Sequence, residues 1–273
     1  RQPALLIDAD PYGYLTVHKR SSNTTFTNNN PYYSLAGTVI NAYTDPGCTR
    51  QATDIKGAAI SFTIQANGEA NYTATVTPGT YYLKEVPNKT GTRYRVNGNV
   101  TAVPVSAGAT GEPTIYNTPW DMDITIIKKS DNPGTTNDNR CYSLAGATFV
   151  ARGAHGYSVT LVTEERTDAN GEKYGYAKAT VPFDTYSITE TKASTGFAVV
   201  AVNGITDAQV SAAPDRYNNE RTVIDKHKFH DIQVAVGKLD AETDEKWRLQ
   251  GGTLEGAQFT IKYYDNVDYK DIS

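Results

Sequence analysis

The stretch Thr114-Ile115-Tyr116-Asn117-Thr118-Pro119, which continues into Ile124-Thr125-Ile126-Ile127-Lys128-Lys129, decides how this chain is organised. A run of residues with high β-propensity ends in an asparagine, a Thr-Pro break follows, and a second such run ends in two lysines. The same order recurs between Thr222 and Lys238, and a weaker copy lies between Leu5 and Lys19. We interpret each copy as the last strand of one domain followed directly by the first strand of the next.

An internal repeat supports this interpretation. The segment Tyr33-Ser34-Leu35-Ala36-Gly37 returns as Tyr142-Ser143-Leu144-Ala145-Gly146, and a third copy reads Thr253-Leu254-Glu255-Gly256-Ala257. The three leucines are 109 and 110 residues apart, and a lysine precedes each of them by 16 residues. These lysines are Lys19, Lys128 and Lys238. Equal offsets in three copies indicate repeated domains of one architecture, and they select Lys128 over its neighbour Lys129.

The pattern along the chain predicts an all-β protein. Short strand-like runs are separated by Gly, Pro and Asn, and no segment keeps a helical period, which is typical of Ig-like β-sandwiches. Asn67-Gly68 and Asn170-Gly171 lie between such runs and predict hairpin turns. We therefore expect tandem sandwiches arranged end to end. The expected divisions are the tail of an upstream domain at 1–11, one sandwich at 12–119, a second at 120–228, and the incomplete start of a third repeat at 229–273.

Composition restricts the class of protein. The 273 residues can hold two domains of about 100 to 150 residues each. A net charge of −4 argues against a nucleic-acid partner. No apolar run of about 18 residues is present, which predicts no membrane insertion, and no signal peptide is visible. The two cysteines, Cys48 and Cys141, are too few for a disulfide framework, and they either pair across neighbouring repeats or remain single thiols.

Strand alternation places charged residues on the core-facing side of each repeat. Residues of equal parity share one face of a strand, so Lys19 points the same way as Leu15 and Val17. A glutamate two thirds along each full repeat also shares parity with apolar neighbours, and the last strand carries an Asn or Asp. The resulting sets are Lys19, Glu85 and Asn117 in the first repeat, and Lys128, Glu190 and Asp225 in the second.

Such a set needs a chemical reason, because even a paired charge in a core stabilises poorly. In an apolar core a lysine loses its proton more easily and a glutamic acid keeps its proton more tightly. A neutral amine is a nucleophile, and a protonated glutamate can polarise a carbonyl and carry protons to a leaving group. Amide formation would join lysine to asparagine with loss of ammonia, or to aspartate with loss of water. The reaction needs no cofactor.

The pattern resembles the Cna protein B-type domains of Gram-positive pilins and adhesins, also called SpaA-type or prealbumin-like domains. The matching motifs are Ser34-Leu35-Ala36-Gly37, Ser143-Leu144-Ala145-Gly146, Glu190-Thr191-Lys192-Ala193 with Gly196-Phe197, and Tyr116-Asn117-Thr118-Pro119. The resemblance implies intramolecular isopeptide bonds from Lys19 to Asn117 and from Lys128 to Asp225. It also implies catalytic roles for Glu85 and Glu190.

Some assignments stay open at this level. The second repeat ends in Asp225 rather than Asn, so Asn218 and Asn219 remain alternative partners, and Lys129 remains an alternative to Lys128. Lys238 has no visible partner in its incomplete repeat and is expected to stay free.

A weak metal-ligand pattern is formed by Asp225, His227, His230 and Asp231. We interpret this segment as a polar interdomain linker and not as a metal site.

The resemblance implies a structural role. We expect a stalk or backbone segment of a Gram-positive surface adhesin or pilus subunit, located outside the cell and anchored through a region not in this chain. Its partners would be neighbouring domains of the same protein or pilus, with a host matrix protein held by another domain. The alternative is a sandwich that itself binds a host matrix protein. An accessory sandwich of a secreted enzyme is disfavoured, because no catalytic motif stands out.

Overall fold

The computed structural model describes residues 10–87, 89–202, 217–228, 236–239 and 255–260. Over these ranges the chain consists of β-strands, turns and two single-turn helices, so the all-β prediction is confirmed. No helix in the described ranges has both the length and the apolar character needed to cross a membrane.

The first unit contains eight strands in two sheets. They are β1 (Tyr14–Ser21), β2 (Val39–Tyr43), β3 (Ser61–Thr63), β4 (Glu69–Asn71), β5 (Gly79–Glu85), β6 (Thr101–Val105), β7 (Thr110–Gly111) and β8 (Thr114–Asn117). In one sheet β1 pairs with β4, β7 and β8, and the other sheet has the order β3-β2-β5-β6. Helix α1 (Thr24–Thr27) follows β1.

The second unit repeats this plan. Its strands are β9 (Met122–Ser130), β10 (Thr148–Gly153), β11 (Ser158–Val162), β12 (Glu164–Thr167), β13 (Lys173–Val181), β14 (Tyr186–Lys192) and β15 (Tyr217–Asp225). One sheet has the order β12-β13-β9-β15 and the other β11-β10-β14. Helix α2 (Pro133–Thr136) follows β9, as α1 follows β1. Every strand pairing in the described residues joins positions on the same side of the boundary between 119 and 120.

Each core lies between two sheets, because alternate residues of each strand point inward. In the first unit Leu15 and Val17 of β1 pack in one cluster with Ile40 of β2 and Leu83 of β5, which belong to the opposite sheet. The second unit has the same construction, with Ile124 and Ile126 of β9 as the counterparts of Leu15 and Val17. The residues of β1 and β9 that point into the core are thus the ones that strand alternation in the sequence predicted.

The first and last strands of each unit are parallel neighbours. In the first unit β8 lies against β1, with Lys19 opposite Ile115. In the second unit β15 lies against β9, with Lys128 opposite Val223. The strand by which the chain enters a unit and the strand by which it leaves are therefore neighbours in one sheet.

The glycine of the repeated Leu-Ala-Gly or Leu-Glu-Gly motif has the same backbone conformation in all three copies. Gly37, Gly146 and Gly256 have φ angles of 81°, 79° and 82°. These values lie in the left-handed region, which a residue with a Cβ adopts only at a cost, so glycine is favoured here. The third repeat thus reproduces this conformation within the short range 255–260. Its other expected features fall outside the described residues, apart from 236–239.

The two helices were not anticipated from the sequence, because four residues are too few to produce a helical period. Their signal is the N-cap: Asn23 accepts from the Phe26 amide, and Asn132 accepts from the Thr135 amide. Asparagine is a favoured N-cap residue, and Pro133 occupies the first turn of α2, where its missing N–H costs nothing.

The hairpin prediction holds for the second repeat and is wrong for the first. At Asn170-Gly171 the flanking strands β12 and β13 pair with each other. At Asn67-Gly68 the turn itself is similar, but β3 pairs with β2 and β4 pairs with β1, so the chain crosses between the sheets. Ile64 still donates its amide to the Thr38 carbonyl next to β2, so the chain leaves that sheet within the two residues before the turn.

The two units contact each other through a clamp around Phe183. The hydroxyl of Tyr33 accepts from the Phe183 amide at 2.8 Å and donates to the Trp120 carbonyl at 2.7 Å. Asn30 Nδ2 donates to the Phe183 carbonyl at 2.9 Å. The Arg93 guanidinium lies 4.4 Å from the centre of the Phe183 ring, a cation–π arrangement. Side chains of the first unit thus satisfy both backbone groups of one residue in the second.

We predict that Tyr33→Phe loosens this junction. The change leaves the buried Phe183 amide without its acceptor, which costs about 1–3 kcal/mol. Amide exchange measured by NMR should therefore become faster at Phe183. Tyr81→Phe is the control, because the Tyr81 hydroxyl bonds the Thr77 carbonyl inside the first unit. Unchanged protection of Phe183 in the Tyr33 variant would contradict the clamp.

Candidate functional site

Lys19, Glu85 and Asn117 meet in the core of the first unit, and each is at most 3% exposed. Lys19 Nζ lies 2.5 Å from Asn117 Oδ1 and 3.1 Å from Glu85 Oε2. Asn117 Nδ2 donates to Glu85 Oε1 at 3.1 Å. The glutamate therefore bridges the two other groups, with one carboxylate oxygen on the amine and the other on the amide nitrogen.

Lys128, Glu190 and Asp225 form the corresponding cluster in the second unit, and each is likewise at most 3% exposed. Lys128 Nζ donates to Glu190 Oε1 at 2.5 Å and contacts the Asp225 carboxylate. The Phe149 ring lies below the amine, with its centre 5.4 Å from Nζ. Apart from the Lys128 amine, no described group satisfies the Asp225 carboxylate oxygens. The amine is thus held against two carboxylates in an apolar setting.

Strand register produces both clusters in the same way. Asn117 is two residues past Ile115, the register partner of Lys19, and Asp225 is two residues past Val223, the register partner of Lys128. Side chains two residues apart on a strand point to the same face. The lysine and its Asn or Asp partner therefore both point into the core. The glutamate comes from the opposite sheet.

Loops after the glutamate strands hold the carboxylates in place. The Asn97 amide donates to Glu85 Oε2 at 3.1 Å, and the Thr90 hydroxyl donates to Oε1 at 2.7 Å. In the second unit the Val200 amide donates to Glu190 Oε2 at 2.8 Å. Sequence reasoning missed these donors. Two of the three are backbone N–H groups, which any residue type except proline provides, so no sequence signal marks them.

Burial changes the proton affinity of two groups in these clusters. Desolvation lowers the pKa of Lys19, and the nearby Glu85 carboxylate only partly opposes this. Burial raises the pKa of Asp225 to about 6, an effect that the Lys128 amine opposes and that Glu190 reinforces. Both directions favour the uncharged form of the group. A neutral amine and a neutral carboxylic acid are the forms that can condense to an amide.

The structure separates the alternatives for the second cluster. Lys129 is on the other face of β9, where its amine lies 3.5 Å from Glu172 and its side chain is 39% exposed. Asn219 is buried, but its amide lies beside Met122 and the Asp123 carbonyl. Asn218 is opposite Asp123 in the strand register, five residues before Lys128. Asp225 is therefore the residue that the fold brings to Lys128.

The remaining sequence candidates are elsewhere. Lys238 is exposed. His227 Nδ1 lies 2.6 Å from Asp131 Oδ1, and Asp225 contacts Lys128, so these two members of the weak metal-ligand pattern have different partners. His230 and Asp231 lie outside the described residues. Cys48 and Cys141 form no disulfide in the described structure.

Comparisons with known proteins give distant similarities. No protein-family model matches the chain, and no curated protein matches it in sequence. The Bacillus anthracis TIE protein is 19% identical, with a TM-score of 0.48, over 80% of this chain and 34% of that one.

Two further similar structures are pilus proteins. The C-terminal fragment of the pilus adhesin SpaC from Lactobacillus rhamnosus GG is 16% identical, with a TM-score of 0.40, over 79% of this chain and 98% of that one. GBS52, the minor pilin of Streptococcus agalactiae, is 15% identical, with a TM-score of 0.29, over 82% of this chain and 99% of that one. At these TM-scores the similarities carry no inference, and the geometry of the two clusters stands by itself.

The two neighbouring lysines of β9 provide a matched test of burial. We predict that Lys128→Ala lowers the free energy of unfolding by at least about 3 kcal/mol, because it leaves the buried Glu190 and Asp225 carboxyl groups without a cation and removes any crosslink that Lys128 forms. Lys129→Ala should change it by less than about 1 kcal/mol, because that ion pair is exposed to solvent. Urea unfolding of both variants measures the difference. Equal losses would contradict the assignment of Lys128 as the buried lysine.

Proposed function

We propose that each unit closes an intramolecular isopeptide bond, from Lys19 to Asn117 and from Lys128 to Asp225. We further propose that the chain is a self-crosslinked stalk or backbone segment of a Gram-positive surface adhesin or pilus subunit. The observation that carries the proposal is a buried cluster that occurs at the same strand register in both repeats. It consists of a lysine, a glutamate and a third group, which is an amide in the first repeat and a carboxylic acid in the second.

In the first unit the three groups are arranged for direct condensation. Glu85 Oε2 removes a proton from Lys19 Nζ, and the neutral amine attacks Cγ of Asn117. The bond between Cγ and Nδ2 breaks, and ammonia leaves. Lys19 gives up two protons in all: one stays on Glu85 and the other is carried to the departing nitrogen. The fold supplies the rate by holding the reacting groups together.

In the second unit the electrophile is a carboxylic acid. The raised pKa of Asp225 increases the fraction that is protonated, and only that form reacts readily with an amine. Lys128 Nζ attacks Cγ of Asp225, one C–O bond breaks, and the oxygen leaves as water with protons that Glu190 relays. The products are an amide and one water, so the buried charges of lysine and aspartate disappear.

The proposed bonds join the strands that carry load. A covalent link between β1 and β8 closes a loop of 98 residues, and the entropy model for crosslinks gives about 4.7 kcal/mol for a loop of about 100 residues. Because entry and exit strands are neighbours, a pulling force passes through the crosslink and bypasses the rest of the unit. This behaviour suits a stalk.

The contact between units supports an end-to-end stalk of domains at 12–119 and 120–228. The Phe183 clamp ties the second unit to the Asn30–Tyr33 loop of the first, so the short connection at 118–121 is not the sole link. Partners of such a segment are neighbouring domains of the same surface protein. An extracellular position at the cell surface follows from the same proposal.

We predict that the purified chain is lighter than its sequence by one ammonia and one water. Denaturing mass spectrometry measures the total, and peptide mapping should find Lys19 joined to Asn117 and Lys128 joined to Asp225, with the Lys238 amine unmodified. An unshifted mass would refute the crosslinks. Loss of two ammonias would move the second partner from Asp225 to an asparagine.

Each glutamate can be tested with the other as its control. Glu85→Gln should prevent loss of ammonia and leave loss of water unchanged, because the amide cannot remove the proton from Lys19. Glu190→Gln should have the opposite effect on the two losses. Thermal unfolding checks that each variant still folds. A Glu85→Gln chain that closes its first bond at the normal rate would falsify the proton-transfer role.

A further inference from the structure

In the described residues, the glutamate of the first cluster bonds to a side-chain hydroxyl, and the glutamate of the second cluster has no such partner. Thr90 Oγ1 donates to Glu85 Oε1 at 2.7 Å, and this oxygen also accepts from Asn117 Nδ2 at 3.1 Å. Glu85 Oε2 has the complementary set, with the Asn97 amide and the Lys19 amine. Each oxygen of the carboxylate thus has one fixed donor and one reacting group.

The second cluster is held differently. Glu190 Oε2 accepts from the Val200 amide, which corresponds to the Asn97 donor of the first unit. Glu190 Oε1 has the Lys128 amine, and within the described residues no hydroxyl bonds to this carboxylate. Among the residues that the structure describes, the extra hydroxyl therefore accompanies the amide partner of the first cluster.

The position of Thr90 is fixed by packing of the following glycine. The Gly91 amide donates to Thr38 Oγ1 at 2.9 Å, and Thr38 is fully buried. A Cβ at Gly91 would lie 2.1 Å from the Ser34 carbonyl oxygen, so only glycine allows this approach. The Ser34-to-Thr38 turn thus anchors the loop that presents the Thr90 hydroxyl.

The chemistry of the leaving group explains why an amide needs this support. Ammonia leaves only after its nitrogen has received a proton, so a proton donor must point at Asn117 Nδ2 when the bond between Cγ and Nδ2 breaks. Glu85 Oε1 is the atom in that position. The Thr90 hydroxyl donates to a lone pair of Oε1, so it can keep this contact while Oε1 holds a proton directed at Nδ2.

We propose that Thr90 is a positioning residue for the loss of ammonia from Asn117, an inference that rests on the proposed isopeptide bond. Its hydroxyl holds Glu85 Oε1 against Nδ2. Lys19 passes two protons to the Glu85 carboxyl group: the one on Oε1 moves to Nδ2 as the C–N bond breaks, and the one on Oε2 stays on the carboxyl group. Thr90 itself neither gains nor loses a proton.

The test compares the two bonds within one chain. Thr90→Val, Thr90→Ser and wild type are made as full chains by cell-free synthesis, with samples quenched in denaturant over time and weighed intact. In Thr90→Val we expect ammonia loss to slow by roughly tenfold, as for a lost hydrogen bond to a charged group. Loss of water at Lys128 and Asp225 should keep its normal rate, and Thr90→Ser should restore the ammonia rate to within about twofold.

The matched control is Thr92→Val, which makes the same change at an exposed position two residues further along the loop. If the wild-type chain loses no ammonia, whether or not it loses water, the proposed first bond itself is refuted, and the role of Thr90 with it. If wild type closes and Thr90→Val closes equally fast, only the Thr90 role fails. The role also fails if Thr90→Val slows both bonds, if Thr90→Ser is as slow as Thr90→Val, or if Thr92→Val has the same effect.

Discussion

Each unit depends on one unfavourable arrangement, a lysine amine enclosed between two sheets with no access to water. Lys19 and Lys128 are both fully buried, and desolvation of an ammonium group costs several kcal/mol even when a carboxylate is near. The fold tolerates this because β8 and β15 bring a second polar partner to each amine. A glutamate from the opposite sheet completes the cluster. Conversion of amine and partner into an amide would remove the charge that burial disfavours.

The rest of each unit holds these three groups in register. The parallel pairing of first and last strands places the Asn or Asp partner two residues past the position opposite the lysine, on the same face of the sheet. The loop after the glutamate strand supplies a backbone N–H to the carboxylate in both units. The repeated left-handed glycine turn also serves the site, since in the first unit its neighbours Ser34 and Thr38 contact Gly91. In the first unit, a motif that marks the repeat in the sequence therefore also supports the cluster.

The two units keep the same frame and differ in local chemistry. The first has an amide partner and a threonine hydroxyl on its glutamate, and the second has an acid partner whose pKa burial raises. The same frame leaves the Asn30–Tyr33 loop free to contact the next unit at Phe183. The buried cluster and the contact between units thus use different parts of the first unit.

Sequence alone determined the features that follow from periodicity and spacing. Alternation along a strand placed Lys19, Lys128, Glu85 and Glu190 on core-facing sides, because side-chain direction in a strand has a fixed period of two. Equal offsets of 16 residues between lysine and leucine favoured Lys128 over Lys129, because copies of one domain keep the same spacing.

Tertiary structure decided what depends on strand partners and loop paths. The choice of Asp225 over Asn219 required the register of β15 on β9, which composition does not encode. The crossing at Asn67-Gly68 depended on which sheet each strand joined. The roles of Asn97, Val200 and Thr90 required loops to return to the glutamate. These contacts join residues distant in sequence, many of them through backbone groups common to all residues, so they exist only once the chain has folded.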